Sequence, residues 1–296
     1  MTNKIAKKFL IKFLPKSIKA KFAEVLKEAI KDAKIEPKIK EIYYAEAEVK
    51  AHLDGYSDAQ LNEYIIAKSH HWLESLEATN YVLPPHVHSL LWIIQLAQSR
   101  LGRPVDVIDF GGGAPTIPMI LNKLGMGQNI ESYKIIESPF FVSRIPEKWN
   151  SVCHYGDTYN GDTCDLLILS SVLPYLRRDL VNTLYSSIEK AKPRFIYLGR
   201  TSFLSEDYPH EEVYTVQSSR FGDHGAQVDI GMQDIENNMA HYVRRHFKLS
   251  EITNILEPLG YRFVLELADD SGLENIKGLG LYSKNSLWEY VRDDSV

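Results

Sequence analysis

The sequence predicts an α/β fold: a seven-stranded, largely parallel sheet covered on both faces by helices and preceded by an amino-terminal helical region. Three observations lead there. Short apolar runs recur between Val105 and Tyr282, helical patterns alternate with them, and the first run ends in three consecutive glycines, Gly111, Gly112 and Gly113, just before a helix start. Strands that alternate with helices are joined by crossovers, which place the helices on the faces of a parallel sheet.

The chain divides by character into residues 1–45, 46–102 and 103–290. Residues 1–40 hold twelve lysines against Glu24, Glu28, Asp32 and Glu36, a balance of +8, so with a formal total of −5 the remainder carries −13. So acidic a body argues against nucleic-acid binding, which needs a basic footprint. Within the start, Ile5, Phe9 and Phe13 share one helical face while Lys4, Lys8 and Lys12 lie on another. Two readings follow: a charged helix docked on its own domain or frayed, and a peripheral contact with an anionic membrane surface through residues 1–20. No apolar run approaches the ~20 residues of a membrane span. Cys153 and Cys164 have no metal-ligand spacing and suit a reducing compartment, so the expected location is cytoplasmic.

Residues 46–102 read as helical. Leu61, Tyr64, Ile65 and Trp72 recur at helical intervals after the turn Gly55-Tyr56-Ser57-Asp58, Pro84-Pro85 ends that segment, and His88 to Leu101 is amphipathic. No strand is expected anywhere up to about residue 100. His70-His71 and the His86 to His88 stretch lack an acidic partner at a familiar ligand spacing, so no metal is expected.

Strands are expected at Val105 to Phe110, Tyr133 to Ile136, Asp165 to Leu169, Phe195 to Leu198, Tyr261 to Leu267 and Gly278 to Tyr282, with a weaker one at Ser151 to Tyr155. Helices are expected at Ile117 to Leu124, Arg178 to Ala191 and Ser250 to Leu259. Only residues 268–277 separate the last two strands, which implies an antiparallel closing pair. Residues 201–247 read as a long loop, functional or disordered. His210, His224 and His241 lie in it as candidates for a general base, with nothing in the sequence to select one.

The chemistry concentrates at Asp109-Phe-Gly-Gly-Gly113. An apolar strand runs into an acid and three glycines, then into a helix with Thr116 as its expected cap and Pro118 in the first turn. Glycines serve where the backbone turns sharply and a ligand approaches the main chain, at the carboxyl edge of an open sheet. Glu137 ends the next strand, where a carboxylate can accept hydrogen bonds from ribose hydroxyls. Asp157 follows the weak third strand, placed to accept from an adenine amino group. For each acid the plainer reading is a solvated strand-end carboxylate. A nicotinamide fingerprint would need Gly or Ala where Thr116 stands, so a ligand without a pyrophosphate suits the turn better.

Taken together, Asp109-Phe-Gly-Gly-Gly113, Ile135-Ile-Glu-Ser138, Asp165-Leu-Leu-Ile-Leu-Ser-Ser-Val-Leu-Pro-Tyr-Leu176, Leu198-Gly-Arg-Thr-Ser-Phe203 and Thr215-Val-Gln217 resemble a bacterial family in the class I S-adenosylmethionine-dependent methyltransferase superfamily, often associated with surface-polysaccharide genes. The resemblance covers roughly residues 50 to 285. It implies a Rossmann-like class I methyltransferase sheet, S-adenosyl-L-methionine as cofactor, and methyl transfer to a small polar acceptor such as a sugar or sugar-linked intermediate. By it, Asp109, Gly111, Gly112 and Gly113 hold the methionine end, Glu137 the ribose and Asp157 the adenine. Ser170 and Ser171 border the methyl, and Leu173 and Tyr175 line the acceptor entrance, although Leu173 also suits plain core packing. Arg200, Thr201 and Gln217 fall on the same rim, where Arg200 either clamps an anionic acceptor or makes an intramolecular ion pair. Two departures stand out: Pro115 replaces a third loop glycine, and Gly199 precedes Arg200 where an acid is expected. A binding or scaffold protein that keeps the nucleotide cleft without turnover is the competing reading, ahead of a nicotinamide-dependent oxidoreductase.

Overall fold

A computed structural model describes residues 42–52, 59–77, 83, 85–220, 239–267 and 281–291. The lysine-rich start with its membrane reading, the turn at residues 55–58 and His224 lie outside the described residues. In chain order the elements are β1 (Ile42–Tyr43), a 3-10 turn (Glu46–His52), α1 (Ala59–Glu77), α2 (Pro85–Leu101), β2 (Val105–Phe110), α3 (Thr116–Lys123), β3 (Ile130–Ile136), α4 (Pro139–Val142) and β4 (His154–Gly156). There follow β5 (Leu166–Ser170), a 3-10 turn (Leu173–Tyr175), α5 (Arg178–Ala191), β6 (Phe195–Leu204), β7 (Glu212–Arg220), β8 (Met239–Lys248), α6 (Leu249–Leu256), β9 (Tyr261–Leu267) and β10 (Tyr282–Tyr290).

Side chains alternate across a strand, and here both sets are apolar. Val105 and Val107 of β2, Tyr133 and Ile135 of β3, Leu166 and Ile168 of β5 and Phe195 and Tyr197 of β6 join Ile93, Ile94 and Ala97 of α2 and Ile117, Ile120 and Leu121 of α3 in one core. Their neighbours Ile108, Ile136, Leu167, Leu169, Ile196 and Leu198 join Leu184 and Ile188 of α5 and Ile252 and Leu256 of α6 in the other. A sheet buried on both faces is thereby accounted for residue by residue.

Strands β4, β3, β2, β5 and β6 lie side by side and parallel. On the far edge of β6 lies β10, antiparallel, and beyond it β9, antiparallel to β10. The expected seven-stranded arrangement with its closing antiparallel pair is present, within a sheet of ten strands. Among the described residues no helix is long and apolar enough to cross a membrane.

Several elements differ from expectation. The last strand is Tyr282–Tyr290, beyond the expected Gly278 to Tyr282. Its centre carries the polar Asn285 and Ser286, each 1% exposed, which disguise a buried strand as a surface one. Residues 201–247 are not a loop throughout: β6 runs on to Leu204, and β7 and β8 pair antiparallel, with the two-residue β1 added at the edge of β7. Buried charges hid this hairpin. Arg245, 1% exposed, is held by Glu212 at 2.9 Å and Glu251 at 3.0 Å, so a position that reads as solvated sits in the interior. Helix α3 starts on Thr116 itself, capped by Pro115 without a side-chain hydrogen bond, so Thr116 is not the cap. Pro118 is the third helical residue, where a missing N–H costs no intrahelical bond.

Helix α5 offers a direct check on the two-faced core. Leu184 is 2% exposed against the sheet and Leu180, one turn earlier, is 44% exposed. Leu184→Ala is expected to destabilise the fold by about 2–5 kcal/mol and Leu180→Ala by less than about 1 kcal/mol in urea titrations. Equal losses would contradict the packing described.

Candidate functional site

The carboxyl ends of β2, β3, β4 and β5 are neighbours, so the residues that follow them converge. Leaving β2, the chain turns at Gly111, whose N–H donates to the Ile136 carbonyl at 2.8 Å. The turn then passes over Asp109: a Cβ on Gly112 would stand 2.5 Å from the Asp109 carboxylate, so no side chain fits there. At Gly113 the backbone is left-handed, φ +64°, and a Cβ would meet nothing within 4 Å. This glycine is required by its conformation alone, beside open space. Its N–H donates to Glu137 Oε1 at 2.9 Å and its carbonyl accepts from Tyr155 Oη at 2.9 Å.

Neither Asp109 nor Glu137 is a solvated strand-end carboxylate. Asp109 is 7% exposed and accepts from Tyr133 Oη at 2.7 Å. Burial pushes its carboxyl up to about 7; the Tyr133 hydrogen bond lowers it and the charge of Glu137 raises it. The Glu137 carboxyl is raised by burial too, against the N–H groups of Ser138 and Gly113 that favour its charged form. One carboxylate oxygen takes each N–H, Gly113 on Oε1 and Ser138 on Oε2, the latter at 3.1 Å, so each oxygen keeps a lone pair for a further donor. The Glu137 backbone N–H donates to the Gly156 carbonyl at 3.0 Å and ties β3 to β4. One residue on from Gly156, Asp157 is exposed and accepts from Thr158 Oγ1 at 2.8 Å.

The other half of the site is a notch in β6. Ser170, last in β5, pairs with Gly199, whereas β8 pairs with β6 only from Phe203, against Phe247. Since β10 fills the opposite edge, Arg200, Thr201 and Ser202 lie on a stretch of β6 that no described strand pairs on the β5 side, with Arg200 part-buried and Thr201 and Ser202 fully buried. Two non-glycine residues flank it in left-handed conformation, Ser171 at φ +61° and Arg200 at φ +52°. Such conformations cost about 1–3 kcal/mol each and gather at functional sites. Each is held by a specific bond: Ser171 N–H donates to the Gly199 carbonyl at 2.7 Å, and Arg200 N–H donates to Asn285 Oδ1 at 2.7 Å. The register slips there, with Gly199 and Arg200 together opposite Asn285. Gly199, unexpected from sequence, lies where a Cβ would stand 2.7 Å from the Tyr197 ring.

Tyr175 stands at this notch, edge to face with Tyr242 of β8 at 5.7 Å. The Arg244 guanidinium lies 5.9 Å from the Tyr175 ring centre and donates to Ser202 Oγ at 2.7 Å. Leu173 is fully buried in the core, away from any entrance. Gln217 pairs with Tyr242 across the hairpin. The structure thus joins Asp109, Gly111, Gly112, Gly113 and Glu137 in direct contact, sets Asp157 and Ser170 at the adjoining strand ends, and gathers Tyr175 and Arg200 at the notch. His210 is exposed and stacks on Tyr44 at 4.5 Å. Tyr242 and Arg244 lie in the stretch whose sequence reads as a loop, and Asn285 lies beyond the expected end of the last strand at Tyr282, so none of the three stands out there.

No protein-family model and no curated protein matches the chain. Among solved structures it is similar to the glycopeptide N-methyltransferase MtfA, at 11% identity over 71% of this chain and 100% of that one, TM-score 0.38. It is similar to magnesium protoporphyrin IX methyltransferase (ChlM) from Synechocystis PCC 6803 with bound SAM, at 11% over 71% and 85%, TM-score 0.40. A third likeness is to an S-adenosylmethionine-dependent methyltransferase from Clostridium acetobutylicum ATCC 824, at 12% over 62% and 83%, TM-score 0.40.

The burial of Asp109 has a measurable consequence. With its folded-state pKa near 7 and an unfolded value near 3.9, the native protein binds a proton between about pH 4 and 7 that the unfolded chain has released. Stability must therefore fall as pH rises through that window, by up to about 1.4 kcal/mol per unit, and level off above it. Asp109→Asn keeps an acceptor for Tyr133 and removes the titration. Thermal midpoints should show the variant gaining on the parent from pH 4 to 7; parallel curves would contradict the assignment.

Proposed function

We propose that the chain is an S-adenosyl-L-methionine-dependent methyltransferase acting on a small polar acceptor, with a sugar or sugar-linked intermediate as the class the sequence resemblance implies. The observation that carries this reading is the hydrogen bond from Gly113 N–H to Glu137, made at a left-handed glycine with open space where a side chain would stand. The residues present fit that cofactor. Glu137 keeps a lone pair on each oxygen, matching two ribose hydroxyls, and its place at the strand end beside the glycine turn is the one a ribose takes. Asp157, exposed on the next strand end, is placed for an adenine amino group. The start of α3 has no side-chain cap, which leaves it to a carboxylate such as that of the methionine portion.

When bound, the cofactor supplies a methyl group already activated on a sulfonium sulfur. The chain's part is alignment. Gly113 lets the ligand approach the main chain, Glu137 fixes its rotation, and Ser170 and Ser171 at the end of β5 border the place where methyl and acceptor meet. Positioning of this kind is a large component of catalysis for a bimolecular transfer. The strained backbone at Ser171 and Arg200 holds the acceptor side of the cleft in one shape.

Calorimetric titration with S-adenosylhomocysteine tests the reading. Glu137→Ala removes the acceptor for both hydroxyls, a loss of ~1–3 kcal/mol, so affinity should fall about tenfold or more. Gly113→Val puts a β-branched residue at φ +64°, strained by its own backbone, and should both lower the thermal midpoint and weaken binding. Affinities equal to the parent's in both variants would overturn the assignment. With methyl-labelled S-adenosylmethionine and a metabolite extract, label should move to a small polar product.

A further inference from the structure

The notch in β6 is bordered by two cations with no counterion among the described residues. Among the described residues, the other part-buried or buried arginines each hold a carboxylate: Arg177 has Asp179, Arg178 has Glu251, Arg194 has Glu289 and Arg245 has Glu212 and Glu251. Arg200 and Arg244 are part-buried as well, yet no described carboxylate reaches either, and the Nε of each is buried without a hydrogen-bond partner. The intramolecular ion pair considered for Arg200 is therefore not formed among these residues. Neither charge is balanced by a described carboxylate, and the fork of donors a guanidinium presents matches a planar or tetrahedral oxyanion.

Both arginines are also held in place. Arg200 is fixed in its left-handed conformation by the bond from its N–H to Asn285 Oδ1, and Arg244 is fixed by Ser202 Oγ and by the ring of Tyr175. They come from two strands, β6 and β8, that meet just beyond this gap, at Phe203 and Phe247. Tyr175 and Tyr242 stand beside Arg244 as an aromatic pair.

Resting on the methyltransferase reading of the adjoining cleft, we infer that the acceptor carries an oxyanion, a carboxylate or a phosphate, which Arg200 and Arg244 bind in this notch while the rings of Tyr175 and Tyr242 flank the neutral part of the molecule. The charge would fix which atom of the acceptor faces the end of β5, so these arginines set specificity and register rather than carry out chemistry.

The test follows the arginine Nε–H resonances of the full-length, 15N-labelled protein during titration with inorganic phosphate in one arm and acetate in the other, at constant ionic strength set with sodium chloride. Arg200→Lys and Arg244→Lys assign the two signals. Both should shift together and saturate in at least one arm, and the arm with the tighter binding identifies the anion as phosphate or carboxylate. Arg200→Gln should raise the apparent Kd at least tenfold. Arg244→Lys keeps charge and a donor for Ser202 while losing the fork, and should weaken binding even if Arg244→Gln fails to fold. Shifts that do not saturate, or saturation unchanged in Arg200→Gln and Arg244→Lys, would overturn the inference. Each titration is run with and without S-adenosylhomocysteine, whose own affinity is measured separately. Anion binding without cofactor binding would sink the methyltransferase reading and leave the anion site, whereas the reverse would sink only the anion site.

Discussion

The hydrogen bond from Gly113 to Glu137 couples two strand ends that nothing else in a parallel sheet obliges to agree. Parallel strands end side by side, but the chain leaves each in its own direction, and the shape of the cleft depends on where those departures point. Glu137 settles this for β2 and β3 by taking the turn's N–H on one oxygen and the N–H of Ser138 on the other, while its own N–H binds Gly156 of β4. Beneath the turn, Asp109 and Tyr133 fill the space that Gly112 leaves, so the loop rests on a buried hydrogen bond. Three strands are thus brought to one rim by a few polar atoms, each satisfied. Buried polar groups that are fully paired specify a single arrangement, and those left open mark where a ligand would complete them.

The notch in β6 follows a different principle. There the sheet is interrupted: β5 stops at Ser170, β8 begins to pair at Phe203, and among the described residues no strand pairs with the intervening edge of β6. The bulge opposite Asn285 and the left-handed Ser171 and Arg200 mark that interval. The hairpin of β7 and β8 is anchored by Arg245 between Glu212 and Glu251, and by Arg178 of α5, which reaches Glu212 at 3.2 Å. A buried cation with two carboxylates contributes little net stability, but it admits one docking of the hairpin. That docking brings Tyr242 and Arg244 to Tyr175.

Much of this was legible in the sequence where apolar runs met glycine. Strand β2, the glycine turn and Glu137 stood out because an apolar strand that runs into Gly111 to Gly113 and then a helix start places a sharp, side-chain-free turn at the edge of a sheet, where a ligand can reach the main chain. Helix α5 runs over Arg178–Ala191 as its periodicity implied. The hairpin and the last strand were not legible. Both bury polar side chains that are satisfied by partners distant in the sequence: Arg245 by Glu212 and Asn285 by the backbone of Arg200. Local pattern cannot register such pairing, because burial of a polar residue becomes favourable only when its partner arrives. The same blindness concealed Arg244, which lies in the stretch that reads as a loop.

A crystal structure of the full chain with S-adenosylhomocysteine tests the central claim most directly, because the claim is about which atoms face the ligand. The account predicts both ribose hydroxyls within about 3.2 Å of the Glu137 carboxylate, the Gly113 N–H still bound to it, and the adenine beside Asp157. A ligand seated elsewhere on the sheet, or a Glu137 turned away from both ribose and Gly113, would contradict it.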